Sequence, residues 1–330
     1  MSTDSTSTNG TSGGPPDALT SPRFTGIKSF ARLPEGQLTD PGVELGVVGI
    51  PFDGTTSFRP GARFGPEAVR AASVLLRPYH TGLGIEVFSG AVRDCGDLLV
   101  VPSNAARTMQ MIEDQLEAPI AAGVRTIGIG GDHLVTLGEL RAHAKAHGPV
   151  GLVLFDAHAD VWDEYYGERL FHGTVFRRAV EEGLVVPERS TMIGMRGSLY
   201  SAADATAAAD LGFRVIDGLQ VGELTPQELA AVVKERLGEG PAFLSFDIDS
   251  IDPAFAPGTG TPEVSGLLPH AAQAYLRALA GTEFVGYDLV EVSPAYDNAG
   301  QTTALLAANL IHDFMGLHAL GAGARSAAAR

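Results

Sequence analysis

Three short stretches concentrate acids and histidines: Gly130-Gly131-Asp132-His133, Asp156-Ala157-His158-Ala159-Asp160 and Asp247-Ile248-Asp249-Ser250-Ile251-Asp252-Pro253. In extended backbone, residues two apart face the same side. Asp156, His158 and Asp160 are therefore expected to converge, and Asp247 with Asp249 likewise. Carboxylates gathered in one dry space repel one another and cannot all ionise unaided. Two divalent cations resolve that conflict, with His133 and His158 as neutral imidazole ligands. An imidazole and carboxylate set without thiolate suits Mn²⁺ better than a structural zinc ion; nickel, cobalt and zinc stay open at this stage. A single Asp-X-Asp is more often a cap or an acidic loop than a ligand pair, so the weight rests on the three clusters together. Asp132 reads as a cap or as the partner of a ligand. Asp252 is out of phase with Asp247 and Asp249, precedes Pro253, and reads as structural.

Each cluster ends an apolar run, which places it where a strand stops. The runs Val43–Ile50, Val124–Ile129, Val150–Phe155, Thr191–Gly194, Phe243–Phe246 and Phe284–Tyr287 predict strands buried on both faces. Amphipathic stretches between them predict helices over Pro66–Leu76, Ala105–Ala122, Leu134–His147, Thr174–Glu182, Pro226–Leu237, Pro269–Leu279 and Thr302–Leu317. This alternation is that of an α/β fold with helices on both sides of a mainly parallel sheet, whose ligands bind outside the carboxyl ends of the strands. Residues 1–20, rich in Ser, Thr, Gly and Pro, are expected to be a disordered tail. Residues 21–330 are expected to form a single domain, fraying over the final Gly-Ala-rich residues.

With 330 residues and 45% hydrophobic composition, the chain can bury a sizeable core. Its net charge of -16 argues against nucleic acid and anionic membrane as partners and is compatible with a small cationic substrate. One cysteine, Cys95, allows no intramolecular disulfide. No apolar stretch approaches the ~20 residues of a membrane span, and no signal-peptide pattern opens the chain. These features predict a cytoplasmic protein.

The three clusters resemble the motifs of the ureohydrolase family, which includes arginase, agmatinase and related guanidino-acid hydrolases. The resemblance runs from about Pro22 to Leu317. It includes the loop Pro51–Ser57, the stretch Arg59–Pro66, the stretch Ala256–Glu263 and Glu291-Val292-Ser293-Pro294. The opening Ser21-Pro22-Arg23-Phe24 and Arg59-Pro60-Gly61 are similar to the agmatinase branch. The resemblance implies an arginase-like three-layer α/β/α sandwich and two Mn²⁺ per subunit. By motif position, one metal takes His133, Asp156, Asp160 and Asp247, and the other takes Asp156, His158, Asp247 and Asp249. The implied reaction is attack of a metal-activated water on a guanidinium carbon, giving urea and an amine. In it Asp160 relays a proton to the leaving amine, His172 shuttles protons with solvent, and Glu291 pairs with the guanidinium. A homotrimer or homohexamer is implied as well.

Selection of the substrate's far end falls to the loop after the second cluster. Trp162, Asp163, Tyr165 and Arg169, with Arg196 nearby, are the candidate contacts, an acid for an ammonium tail or an arginine for a carboxylate tail. Agmatine is the first expectation, and 4-guanidinobutyrate or 3-guanidinopropionate the second. Two other classes compete: a metal-dependent deacetylase on a related fold, disfavoured by the number of acids, and a non-catalytic metal-binding partner subunit, disfavoured by intact Asp160, His172 and Glu291.

Overall fold

The computed structural model describes residues 14–88 and 91–328. Its strands are β1 (Leu45–Ile50), β2 (Tyr79–His80), β3 (Ile85–Glu86), β4 (Val92–Asp97), β5 (Arg125–Gly130), β6 (Gly151–Phe155), β7 (Thr191–Met195), β8 (Arg214–Asp217), β9 (Ala242–Asp247) and β10 (Phe284–Val290). The helices are α1 (Gly65–Ser73), α2 (Ala105–Ala121), α3 (Val135–His147), α4 (Val175–Glu181), α5 (Ala202–Asp210), α6 (Gly218–Glu223), α7 (Pro226–Leu237), α8 (Pro269–Ala278) and α9 (Thr302–Ala328). Strands β2 and β3 form a small antiparallel hairpin. The other eight form one sheet in the order β4-β1-β5-β10-β9-β6-β7-β8, with every pairing parallel.

Alternation along the strands divides the core in two. Leu45 and Val47, Ile127 and Ile129, Val153 and Phe155, and Leu244 and Phe246 pack on one face with residues of α1, α7, α8 and α9. Val48 and Ile50, Leu152 and Leu154, and Phe243 pack on the other with α2, α3 and α4. Both faces are therefore apolar, as parallel sheets covered on both sides require, and the result is a three-layer α/β/α sandwich. No described helix is long and apolar enough to cross a membrane.

All six expected strands and seven expected helices are present. Strands β4 and β8, the hairpin, and helices α5 and α6 were not anticipated. β4 and β8 are the sheet's edges, and their sequences, VRDCGD and RVID, carry charges where a central strand would be apolar. Helix α5 is largely alanine with one buried side chain, Ala208, so it has little apolar stripe to read. Most of the expected N-terminal tail, residues 1–13, lies outside the described residues; Asp17–Ser21 forms a turn closed by Ser21 N–H to Asp17 O at 2.8 Å. The last helix continues to Ala328, past its expected end at Leu317.

The sheet order matters for the site. The four strands followed by chemically equipped residues, β5, β10, β9 and β6, are consecutive neighbours. Chain order scatters them over 160 residues of sequence, and the topology brings their carboxyl ends side by side.

Candidate metal centre and cavity

His133 follows β5 through a tight connection. A Cβ on Gly131 would lie 1.6 Å from the carbonyl oxygen of Phe52, so only glycine lets the two backbones approach. Asp132 accepts hydrogen bonds from Thr55 N–H (2.8 Å), Thr55 Oγ (2.7 Å) and Leu134 N–H (3.2 Å), tying the turn to the neighbouring loop and to the start of α3.

The fully buried His133 ring places Nδ1 3.1 Å from Asp156 Oδ2, 3.1 Å from Asp160 Oδ2 and 3.3 Å from Asp247 Oδ2. On the other side of Asp156, His158 Nδ1 lies 3.1 Å from Asp249 Oδ2 and 3.6 Å from Asp156 Oδ1. Two groups of potential ligand atoms result, His133–Asp156–Asp160 and Asp156–His158–Asp249, and they share Asp156. Asp247 sits between them, its Oδ1 accepting from Asp249 N–H at 2.8 Å.

The convergence is as expected, but strand alternation does not produce it. β6 ends at Phe155 and β9 at Asp247. Asp249 lies in a 3₁₀ turn, Ile248–Ser250, and Asp160 has φ 49°, in the left-handed region. Side chain to backbone bonds two residues apart shape these turns: His158 N–H to Asp156 Oδ1 at 2.6 Å, and Asp249 N–H to Asp247 Oδ1. Ala157 N–H to Asp249 Oδ1 at 3.1 Å locks the two loops together.

The donor set fits cations. His133 Nδ1 and Asp156 Oδ2 are buried without any hydrogen bond, although oxygens surround the nitrogen. Burial, then the Asp249 and Asp156 charges, push the Asp247 carboxyl well up. Burial opposes charge on His133, yet Asp156 and Asp160 raise it well above the usual histidine range. Burial likewise opposes ionisation of Asp249, but His158 and the Ala157 N–H hold it at about 2. Buried carboxylates packed this closely around two imidazoles form a space that cations would neutralise outright.

Glu291, just past β10, also lies at positive φ, 63°. Its Oε1 accepts from His133 N–H and faces His172 Nδ1, both at 3.0 Å, and its Oε2 is buried without a partner. His172 is buried as well. Ser57 N–H donates to its Nε2 at 3.2 Å and Ser57 Oγ lies 2.8 Å from the same nitrogen, so Nδ1 carries the hydrogen that reaches Glu291. Burial lowers the pKa of His172 and the Glu291 carboxylate raises it to about 9, a charge that the Ser57 N–H aimed at Nε2 opposes; the hydrogen-bond geometry describes the neutral ring.

A cavity of about 1020 Å³ opens over this cluster, with His158, Asp160, His172, Trp162 and Tyr165 in its wall. Asp163 and Arg169 are not in that wall. Exposed Asp163 bonds the buried Arg178 at 2.6 Å, and exposed Arg169 bonds Glu181 at 2.7 Å. Arg196 is in the wall, but its guanidinium is committed to the carbonyls of Gly194, Asp249, Ser250, Glu263 and Val264. Sequence reading missed Ser57, Arg59 and Glu263, which line the cavity, and Ser245, whose Oγ lies 3.0 Å from His133 Nε2. A serine inside the apolar run Ala242–Phe246 was the available signal, because a buried polar side chain needs a partner.

The Arginase family profile matches residues 43–316. The chain is 44% identical over 297 residues to the guanidinobutyrase of Pseudomonas aeruginosa, covering 89% of this chain and 93% of that protein. It is 43% identical over 302 residues to the mitochondrial agmatinase of Gallus gallus, covering 91% and 88%. The solved structure of proclavaminate amidino hydrolase from Streptomyces clavuligerus superposes with a TM-score of 0.85 at 37% identity, covering 91% of this chain and all of that one. On this evidence the chain belongs to the arginase family.

Proposed function

We propose that this protein hydrolyses a linear guanidino compound to urea and an amine, with two divalent cations, manganese first, held by His133, Asp156, Asp160 and Asp247 and by Asp156, His158, Asp247 and Asp249. The observation that carries the reading is the pair of histidine–carboxylate groups that share Asp156 beneath the cavity. Cations held there would lower the pKa of water and so would supply a strong nucleophile near neutral pH.

The chain's own groups do the rest. Glu291 Oε2 is the free acceptor for a guanidinium N–H, and His172 and the His133 amide hold the other oxygen so that the carboxylate cannot turn away. Asp160, in the cavity wall beside His133, takes the proton of the attacking water and delivers it to the departing nitrogen. A C–O bond forms, a C–N bond breaks, and the amine leaves protonated. His172, linked to Ser57 at the cavity wall, exchanges protons between the site and solvent.

For the far end of the substrate, Asp204, Asp217 and Glu263 line the cavity and the Arg196 donors are spent. The wall is therefore acidic and favours an ammonium tail, with agmatine the first substrate. A carboxylate tail is the second reading, favoured by the guanidinobutyrase likeness and by Arg59, a wall residue whose guanidinium stacks 5.3 Å from the rings of Phe58 and Tyr296. Exposed Phe58, Leu199 and Tyr200 at the cavity suit cover by a neighbouring subunit in a cytoplasmic homotrimer or homohexamer. The test is urea release by manganese-loaded protein from agmatine, 4-guanidinobutyrate, 3-guanidinopropionate and arginine. Release from agmatine above the others supports the first reading and release from a guanidino acid the second. Silence on all four, with both metals bound, would remove the proposal.

A further inference from the structure

Behind the metal centre lies a buried acidic pair that the reaction does not use. Glu139 of α3 is fully buried. Its carboxyl rests on β5 at Gly128, where a Cβ would come within 2.5 Å of Glu139 Oε1, so the missing side chain makes its space. Gly128 is in register with Asp288 of β10, and Asp288 with Ser245 of β9. Among the described residues, no donor reaches either Glu139 oxygen. The group it meets is the Asp288 carboxylate, and burial together with that charge raises the Glu139 carboxyl far above its usual range. Two acceptors face to face in a dry site share one proton.

The position of that proton decides the state of His133. Asp288 accepts from Thr136 Oγ at 2.7 Å and from Ser245 Oγ at 2.6 Å. A serine has one hydroxyl hydrogen. With it committed to Asp288, Ser245 can only accept from His133 Nε2–H across their 3.0 Å contact. Nδ1 then keeps its lone pair, facing the carboxylate cluster. A proton on Asp288 instead would free the serine hydroxyl to donate to Nε2, and Nδ1 would carry the hydrogen and cease to be a ligand.

We propose that Glu139 is a positioning residue for the metal centre: as the neutral member of its pair with Asp288 it keeps Asp288 an acceptor, and through Ser245 it fixes His133 with Nδ1 open to a cation. This rests on the metal-dependent reading above. The competing role is simple space filling, which leucine would serve as well or better, since replacing a buried polar group by an apolar one of similar shape is often neutral or stabilising.

The experiment is a calorimetric Mn²⁺ titration of the apo forms of wild type, Glu139→Leu, Glu139→Gln and Ser245→Ala, with a thermal melt of each. Outer partners of a metal-bound histidine are worth about 10- to 100-fold in metal affinity. Glu139→Leu is expected to weaken one of the two manganese sites by at least about 10-fold. Glu139→Gln, whose amide still donates to Asp288, is expected to stay within about threefold of wild type and covers the case in which the leucine variant misfolds. Combined with Ser245→Ala, the leucine substitution should add little, because both act through one chain. A folded Glu139→Leu protein that binds manganese like wild type would overturn the inference, as would full additivity with Ser245→Ala. Wild-type protein that takes up no manganese would overturn the metal reading first.

Discussion

Glu291→Gln separates substrate binding from metal binding. Glutamine preserves shape and leaves an oxygen to accept from His133 N–H and His172 Nδ1, both at 3.0 Å in the native protein. It removes the negative charge at Oε2, the oxygen that has no partner among the described residues. A hydrogen bond to a charged group is worth about 1.5–3 kcal/mol, which corresponds to roughly a 10- to 150-fold loss in kcat/KM for a guanidinium substrate. Glu291 is in neither ligand group, so manganese stoichiometry should not change. The assay is urea release at subsaturating substrate, with metal content measured on the same preparation. Wild-type kcat/KM in the glutamine variant would refute the guanidinium-pairing role. Loss of one metal would show that Glu291 belongs to the metal centre instead.

Gly131→Ala puts a Cβ 1.6 Å from Phe52 O, and the backbone shift should cost on the order of 1–3 kcal/mol, read as a lower melting temperature together with weaker manganese binding at His133. His143, buried against Thr126, is held neutral, its pKa lowered from 6.5 to about 3 by burial and then by His147 and Arg125. Below pH 6.5 the unfolded chain takes up a proton that folded His143 refuses until about pH 3, so stability falls as the pH drops. By pH 5 the loss is about 2 kcal/mol, and urea denaturation of wild type against His143→Gln at pH 7 and pH 5 should show a smaller drop in the variant. Asp163→Ala and Arg169→Ala change exposed side chains outside the cavity wall and should leave kcat/KM within about twofold for every substrate, since neither side chain meets the space a substrate would occupy.

The sequence motifs identified the ligand candidates because acids and histidines at the ends of apolar strands have few other physical explanations. The central strands were legible for the same reason, being apolar on both faces. What periodicity misjudged was the local backbone: Asp249 reaches the cluster from a 3₁₀ turn, and Asp160 through a left-handed residue. Neither conformation has a signature in residue spacing. The cavity's far wall, from Leu199 to Gln220, was invisible because it hangs on the polar edge strand β8 and on the alanine-rich α5. The charges of Asp163 and Arg169 were legible as charges, but their direction depends on Arg178 and Glu181, one helix away. Ser245, Asp288 and Glu139 form their chain only once β5, β10 and β9 are neighbours, which no stretch of sequence reveals.

The most direct test of the account is metal-dependent urea release followed in one preparation. Protein stripped of metal by chelation should release no urea from agmatine or 4-guanidinobutyrate, and activity should return with manganese and level off at two ions per chain. Urea release that survives complete metal removal, or that saturates at a single ion, would contradict the paired sites built around Asp156.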